Sequence, residues 1–152
     1  MFSKTGIHAL LALSALSRLP KGAFLGASEI AREIGAPRNY LGKLLKALAD
    51  RGILLSQKGK GGGFRLSRDP RDVTLFEVML PIEKLDRWSG CFLGKARCSE
   101  RSPCPLHSRW KPVRDAYLDF LKTTTVADVA ERAAGAPMRG SGADVRGDRR
   151  RR

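Results

Sequence analysis

The amino-acid sequence predicts a mainly α-helical fold with one small β-hairpin. Three helical segments occupy residues 5–50, a glycine-rich hairpin follows at 53–66, and a longer amphipathic segment begins near residue 110. Apolar residues that recur every three or four positions indicate helices, and strand-forming residues around a glycine-rich turn indicate a hairpin. We therefore expect a small N-terminal domain and a separate long helix.

The first two helices are predicted from apolar spacing and from residues typical of helix ends. The segment from Thr5 to Leu19 carries its apolar side chains on one broad face, and Pro20 stops it. Ser28 is predicted to cap a short helix over 29–34, because a serine hydroxyl accepts a hydrogen bond from a free N–H group at a helix start. Gly35 is predicted to end this helix.

The third helix completes a helix-turn-helix motif. Pro37 suits its first turn, and Gly52 suits its end. Its apolar face consists of leucines at positions i, i+3, i+4 and i+7, namely Leu41, Leu44, Leu45 and Leu48. Two helices joined by a tight turn that contains glycine are typical of this motif.

The hairpin that follows reads as a wing. Residues 53–57 and 64–66 are its predicted strands, and the tip between them is rich in glycine and carries Lys58 and Lys60. A glycine-rich tip brings its backbone close to another molecule, and lysines there meet phosphates. The alternatives are a flexible solvent loop and a phosphate-cradling nucleotide loop. The tip lacks the Gly-x-x-x-x-Gly-Lys-Ser/Thr pattern of the latter.

The charge distribution favours a polyanionic partner. The net charge is +14, and residues 1–68 hold twelve Lys/Arg against three Asp/Glu, whereas residues 69–138 hold eleven against ten. Such concentration is typical of nucleic-acid binding, although a basic face also serves solubility. No apolar run is long enough for a membrane span and no signal peptide is recognisable, so we expect a cytoplasmic protein with reduced thiols.

The face of the third helix opposite the leucines is predicted to read double-stranded DNA. Arginine and lysine pair with guanine, asparagine pairs with adenine, and residues near the helix start reach base edges, so Arg38 and Asn39 lead this set. Such domains usually bind as dimers over a pseudo-palindromic operator. The predicted DNA-contacting residues are Ser28, Arg38, Asn39, Tyr40, Lys43, Lys58, Lys60, Gly61 and Gly62.

The sequence divides into a DNA-binding domain (1–68), a cysteine loop with further helices (69–134) and a basic tail (135–152) that we expect to be disordered. Thr74 and Glu77 form a predicted capping box for a helix to about Ile82, and Thr125 with Asp128 caps a last helix. Between them, apolar residues recur at helical spacing, namely Trp110, Val113, Tyr117, Phe120 and Leu121. This helix is predicted either to join two subunits or to pack on its own core.

All three cysteines lie in the intervening loop, at Cys91, Cys98 and Cys104, and His107 follows. Thiolate and imidazole ligands suit zinc, copper(I) and iron–sulfur clusters. Structural zinc sites favour Cys-x-x-Cys pairs, and none is present. A thiol oxidoreductase needs such a pair and a cysteine nucleophile needs a base to orient it, so the sequence offers no support for an enzyme.

Several of these motifs together resemble one family. The run from Asn39 to Leu41 with the following Lys-Leu-Leu, the glycines of the wing tip, and Cys104-x-x-His107-x-x-Trp110 are similar to the Rrf-two superfamily of bacterial regulators, typified by IscR and NsrR. The resemblance implies a homodimer with one iron–sulfur cluster per subunit, whose state controls DNA binding. Repression is the commoner behaviour of the family.

Two features of the cysteine loop stay open. The IscR-like pattern implies His107 as the fourth ligand, whereas NsrR-like members use a side chain early in the first helix of the partner subunit, where His8 stands. Six residues separate Cys91 from Cys98 instead of the usual five, which leaves a 2Fe-2S or a 4Fe-4S cluster open. Structural zinc or a thiol-based redox switch at the same cysteines is the alternative function.

Overall fold

The computed structural model describes residues 2–83, 85, 90–95 and 99–133, and it confirms the mainly helical fold with one hairpin. The elements in chain order are α1 (Lys4–Ser17), α2 (Ala27–Ile34), α3 (Arg38–Asp50), β1 (Leu54–Gln57), β2 (Gly63–Leu66), a 3-10 turn (Pro70–Asp72), α4 (Leu75–Met79), α5 (His107–Thr123) and α6 (Val126–Ala133). The predicted disordered tail, 135–152, lies outside the described residues. None of the helices in these ranges is long and apolar enough to cross a membrane.

The hydrophobic core lies where α1, α2 and α3 meet. Leu13 of α1, Ile30 of α2 and Leu45 of α3 are fully buried. The four leucines predicted for the inner face of α3 are all buried, which confirms that face. Burial of each such side chain stabilises the fold by about 1.5–3 kcal/mol.

The hairpin is antiparallel and pairs Leu54 with Leu66 and Gln57 with Gly63. A further bridge joins Leu25 to Phe64, with a 2.9 Å hydrogen bond from the Phe64 N–H to the Leu25 carbonyl. Gly63 has φ +143°, and a Cβ there would lie 2.3 Å from the Leu25 carbonyl oxygen. The segment before α2 therefore anchors the wing only because residue 63 has no side chain.

Several predicted helix ends are confirmed, with two corrections. The helix predicted to run to about Ile82 ends at Met79, with Leu80 as its C-cap. Gly35 ends α2 with φ 69°, and the capping boxes Thr74–Glu77 and Thr125–Asp128 both form. The prediction that Ser28 caps α2 is wrong, because Gly26 holds that position and its N–H donates to Glu29. The bridge of Leu25 to β2 makes the chain turn at residue 26, so α2 begins two residues earlier than predicted.

The second half of the chain packs on the same core. Val73, Val78, Leu121 and Val126 are fully buried and belong to the cluster that contains Leu13. The two roles predicted for α5, packing on the core and joining two subunits, fall on different faces of the helix. Leu121 is buried in the core, whereas Val113 is 57% and Phe120 51% exposed. The division at residue 68 stays a prediction, and the apolar core is continuous across it.

Candidate nucleic-acid interface and cysteine loop

A shallow groove between α2 and α3 carries the leading candidates for DNA contact. Arg38, Asn39 and Lys43 are exposed. They line a concavity of about 570 Å³ together with Ser28 and Lys46. We call this surface the α3 groove, and its position along an exposed helix suits insertion into a DNA groove.

Ser28 holds Arg38 in this groove. The Nε of Arg38 donates a hydrogen bond to the Ser28 hydroxyl oxygen, across from α3 to the first turn of α2. This bond leaves the terminal guanidinium nitrogens for another acceptor and restricts the rotamers of a flexible side chain. Ser28 thus positions Arg38.

Tyr40 lies on a different face of α3 from Asn39. Its ring is half-buried and meets the His8 ring of α1 edge-on, with 5.8 Å between the ring centroids. The predicted contact of Tyr40 with DNA stays a prediction, and the ring contributes to packing between α1 and α3. Among the residues that the structure describes, none forms a hydrogen bond with the buried Nδ1 atom of His8.

The predicted basic and glycine residues of the wing tip lie at or near the surface. Lys58, Lys60 and Gly61 are exposed, and Gly62 is half-buried at the turn, where its N–H donates 3.0 Å to the Gly59 carbonyl. The two lysines are therefore accessible to phosphates.

Sequence reasoning misses two charged groups near these surfaces. Asp50 forms an i,i+4 ion pair with Lys46, which partly neutralises one end of the α3 groove. The guanidinium carbon of Arg65 in β2 lies over the Phe24 ring, 5.1 Å from its centroid. This cation–π contact places a positive charge on the wing. Two features of the sequence could have indicated these groups: the four-residue spacing of Lys46 and Asp50, and the alternation of side chains along β2.

Two of the predicted cysteine ligands come together in the cysteine loop. Cys91 is half-buried and Cys104 is buried, and their thiols lie within hydrogen-bonding reach. The backbone N–H of Leu93 lowers the pKa of the Cys91 thiol below its ordinary value against the opposing effect of burial, and the Lys95 N–H, the Cys104 thiol and the Lys95 charge lower it further. This environment favours the thiolate, which is the form that binds metals.

The other predicted ligands are not assembled with this pair. Cys98 lies outside the described residues. His107 begins α5, and its backbone N–H donates 2.9 Å to the Cys104 carbonyl. Among the residues that the structure describes, no three His, Cys, Asp or Glu side chains are close enough to hold one metal ion. The chemistry of the donor pair Cys91–Cys104 fits a thiolate-bound metal or cluster, to which it would supply two ligands.

The start of α5 anchors the cysteine loop. The indole N–H of Trp110 donates 3.3 Å to the Gly90 carbonyl, and the Phe92 ring packs against the Trp110 ring at 5.2 Å between centroids. The position of the loop and the position of α5 are therefore linked.

The family model described as Rrf2, iron-dependent transcriptional regulator, matches residues 2–132 of this chain. The chain belongs to the Rrf2 family. Its winged helix-turn-helix is accordingly the DNA-binding part of a transcriptional regulator, as the sequence resemblance predicts.

Named relatives agree with this assignment of the Rrf2 protein. It is 33% identical over 131 residues to a candidate HTH-type transcriptional regulator of Aquifex aeolicus, covering 85% of this chain and 90% of that one. It is 26% identical over 102 residues to the HTH-type transcriptional regulator IscR of Vibrio campbellii, covering 67% and 60%.

Solved structures support the Rrf2 fold. CymR, the global cysteine regulator of B. subtilis, superimposes with a TM-score of 0.73 at 23% identity and covers 87% of this chain and 97% of its own. T. potens IscR gives a TM-score of 0.70 at 24% identity and covers 91% of each chain. At these identities the likeness concerns the fold alone.

Proposed function

We propose that this Rrf2 protein binds a pseudo-palindromic operator through the α3 groove and the wing. The observation that carries the proposal is the Arg38 guanidinium, held by Ser28 beside the exposed Asn39 at the start of α3. Arg38 and Asn39 read base edges, and the lysines of α3 and the wing contact phosphates. The full proposed set is Ser28, Arg38, Asn39, Tyr40, Lys43, Lys58, Lys60, Gly61 and Gly62.

Arg38→Ala is expected to weaken binding to a duplex selected by the wild-type protein from random DNA, by about 1–3 kcal/mol, because one base contact is lost. Ser28→Ala is expected to cost less, about 0.5–1.5 kcal/mol, because it removes only the hydrogen bond that positions the guanidinium. Fluorescence anisotropy titrations measure both. Arg71→Ala removes an exposed arginine from the 3-10 turn and serves as the control. Equal affinities for the three variants would contradict this assignment.

We further infer that the operator-binding form is a homodimer joined through α5. Three exposed apolar side chains recur every seven residues, at the N-cap residue Leu106 and at Val113 and Phe120 within the helix. We call them the α5 seam. Apolar side chains that repeat every seven residues stay on the side of a helix that faces a partner helix. Exposure of this seam to water is unfavourable, and a second copy of α5 would bury it.

We propose that the cysteine loop holds an iron–sulfur cluster through Cys91, Cys98, Cys104 and His107, with His8 of the partner subunit as the alternative fourth ligand. Support comes from the adjacent thiols of Cys91 and Cys104, from the lowered pKa of Cys91 and from the iron dependence in the family description. When bound, a cluster with a non-cysteine ligand supplies a centre that reacts readily with oxidants or nitric oxide.

The chain's own residues connect this loop to DNA binding. Cys104 lies just before α5, and Trp110 ties α5 to Gly90 at the other side of the loop. A change in the spacing of the cysteines therefore shifts the start of α5 and the α5 seam. Because half-site spacing depends on dimer geometry, operator affinity changes with the loop. We propose repression as the outcome of operator binding.

Purification without oxygen tests the cluster directly. The wild-type protein is expected to be brown and to contain iron and sulfide, and Cys104→Ala is expected to lose most of both, because a buried ligand is removed. Ser99→Ala, a change of similar size in the same loop, is the control and should keep the cluster. Colourless wild-type protein that contains zinc would support the structural-zinc alternative.

A thiol-based switch is the second candidate, and the contact between Cys91 and Cys104 favours it. A peroxide would accept two electrons and two protons from the two thiols as a disulfide forms between them, with water as the product. In that case colourless, metal-free protein would lose two thiols per chain on treatment with hydrogen peroxide.

A further inference from the structure

The carboxylate of Glu83 ties the entrance of the cysteine loop to the start of α1. Its Oε1 atom accepts two hydrogen bonds from Ser3, one from the backbone N–H at 2.8 Å and one from the hydroxyl at 2.7 Å. The Ser3 hydroxyl also accepts from the Gly6 N–H at 3.2 Å and so caps α1. Glu83 therefore fixes the orientation of the group that begins this helix.

Gly6 makes this contact possible. A Cβ at residue 6 would lie 2.6 Å from Oε1 of Glu83 and 3.1 Å from the sulfur of Met79. The first turn of α1 thus approaches the chain segment after α4 more closely than a residue with a side chain allows. Gly6 is itself buried, so the contact is part of the packed structure.

Glu83 is also connected to α5. Burial raises the pKa of Tyr117 above the ordinary value, and the negative charge of Glu83 raises it further. Trp110 lies two helical turns before Tyr117 and holds Gly90 and Phe92 of the loop. Trp110 and Tyr117 of α5 therefore lie near the first part of the loop and near its entrance.

From α1 the contacts continue to the DNA-reading helix. His8 lies in the second turn of α1 and packs edge-on against Tyr40 of α3. Tyr40 follows Asn39 directly, and the two are backbone neighbours in the α3 groove region. A displacement of the start of α1 is thus passed to α3 through packed side chains.

We propose that Glu83 is a positioning residue that transmits the state of the cysteine loop through Ser3 and α1 to the recognition helix. This inference rests on the proposed control of DNA binding by a cluster in the loop. The residue takes no part in ligand binding or DNA contact. Its role is to couple two sites, because side chains packed into two alternative arrangements carry a coupling free energy between them.

The test compares affinity for the selected duplex with and without the cluster, using the full-length protein. Glu83→Ala is expected to reduce the ratio of the two affinities by roughly two- to thirtyfold, the range typical of mutations along coupled networks. Glu83→Gln is expected to restore most of the ratio, since its amide oxygen still accepts both hydrogen bonds from Ser3. Iron and sulfide per chain should stay at the wild-type level in both variants.

Two further variants test whether the effect depends on the contact between Glu83 and Ser3 or on the loss of any carboxylate near α1. Ser3→Ala removes the hydroxyl's hydrogen bond to Glu83 and keeps the one from the backbone N–H. It acts from the α1 side, far from the cysteines in sequence, and should reduce the ratio in the same direction as Glu83→Ala but by less. Glu33→Ala removes a different carboxylate, which pairs with Arg18 at the C-cap of α1, and should leave the ratio unchanged. A wild-type ratio in both Glu83→Ala and Ser3→Ala overturns this inference alone. A wild-type protein whose affinity does not depend on the cluster overturns the proposed function and this inference with it.

Discussion

Val113→Asp is expected to give a folded monomer that binds the selected duplex about as weakly as nonspecific DNA, roughly 10³-fold or more below the wild-type protein. Val113 is the middle residue of the α5 seam and is 57% exposed, so an aspartate there does not disturb the core of the single chain. In the proposed dimer the same position would be buried in the interface between the two subunits. Two unpaired carboxylates would then be desolvated close together, which strongly disfavours association.

Sedimentation and circular dichroism check this expectation together with the DNA titration. The matched control is Val113→Leu, which keeps the α5 seam apolar and should remain dimeric with near wild-type affinity. A dimeric Val113→Asp protein would show that another surface joins the subunits. A monomer with full operator affinity would show that one subunit suffices for binding.

Gly63→Ala is expected to lower the free energy of unfolding by about 2–5 kcal/mol, from strained backbone and overpacking together. The new methyl group would lie 2.3 Å from the Leu25 carbonyl oxygen, at a residue whose φ is +143°. The Leu25–Phe64 bridge must open to make room. Because this bridge attaches the wing to the segment before α2, DNA affinity should fall as well.

Gly59→Ala is the control for this change in urea unfolding experiments. Gly59 also has a positive φ, +93°, but a Cβ there has no heavy atom within 4 Å. It should therefore cost only the backbone strain, about 1–2 kcal/mol. Equal losses in the two variants would mean that the close approach to Leu25 contributes nothing to stability.

The parts of the fold that local chemistry determines could be predicted from the sequence. The leucine spacing of α3, the glycine at the end of α2 and the capping box of Thr74 with Glu77 depend on residues within one or two turns. The start of α2 could not be predicted, because it depends on the pairing of Leu25 with Phe64, far along the chain. Because Gly26 is the N-cap of α2, the Ser28 hydroxyl accepts a hydrogen bond from Arg38 instead of capping the helix.

The candidate site shows the same division. Residue types and spacing indicate the cysteine loop and the basic face of α3, since both are local patterns. The contacts that organise them are long-range. Glu83 meets Ser3 across 80 residues, and Trp110 meets Gly90 across 20, and neither pairing has a sequence signature. Residue identity therefore predicts the chemistry, and only the fold shows how the parts are connected.

The continuous core has a consequence for how this regulator is assembled and altered. Val126 of α6 and Leu13 of α1 belong to one apolar cluster, and the Val126 N–H donates 2.9 Å to the Val73 carbonyl. The DNA-reading part and the helices that flank the cysteine loop thus share one apolar core, and we expect them to unfold together. A chimera that joins the first 68 residues to a foreign sensor would leave this apolar surface bare. New signals are more readily acquired by changing residues of the loop than by exchanging whole modules.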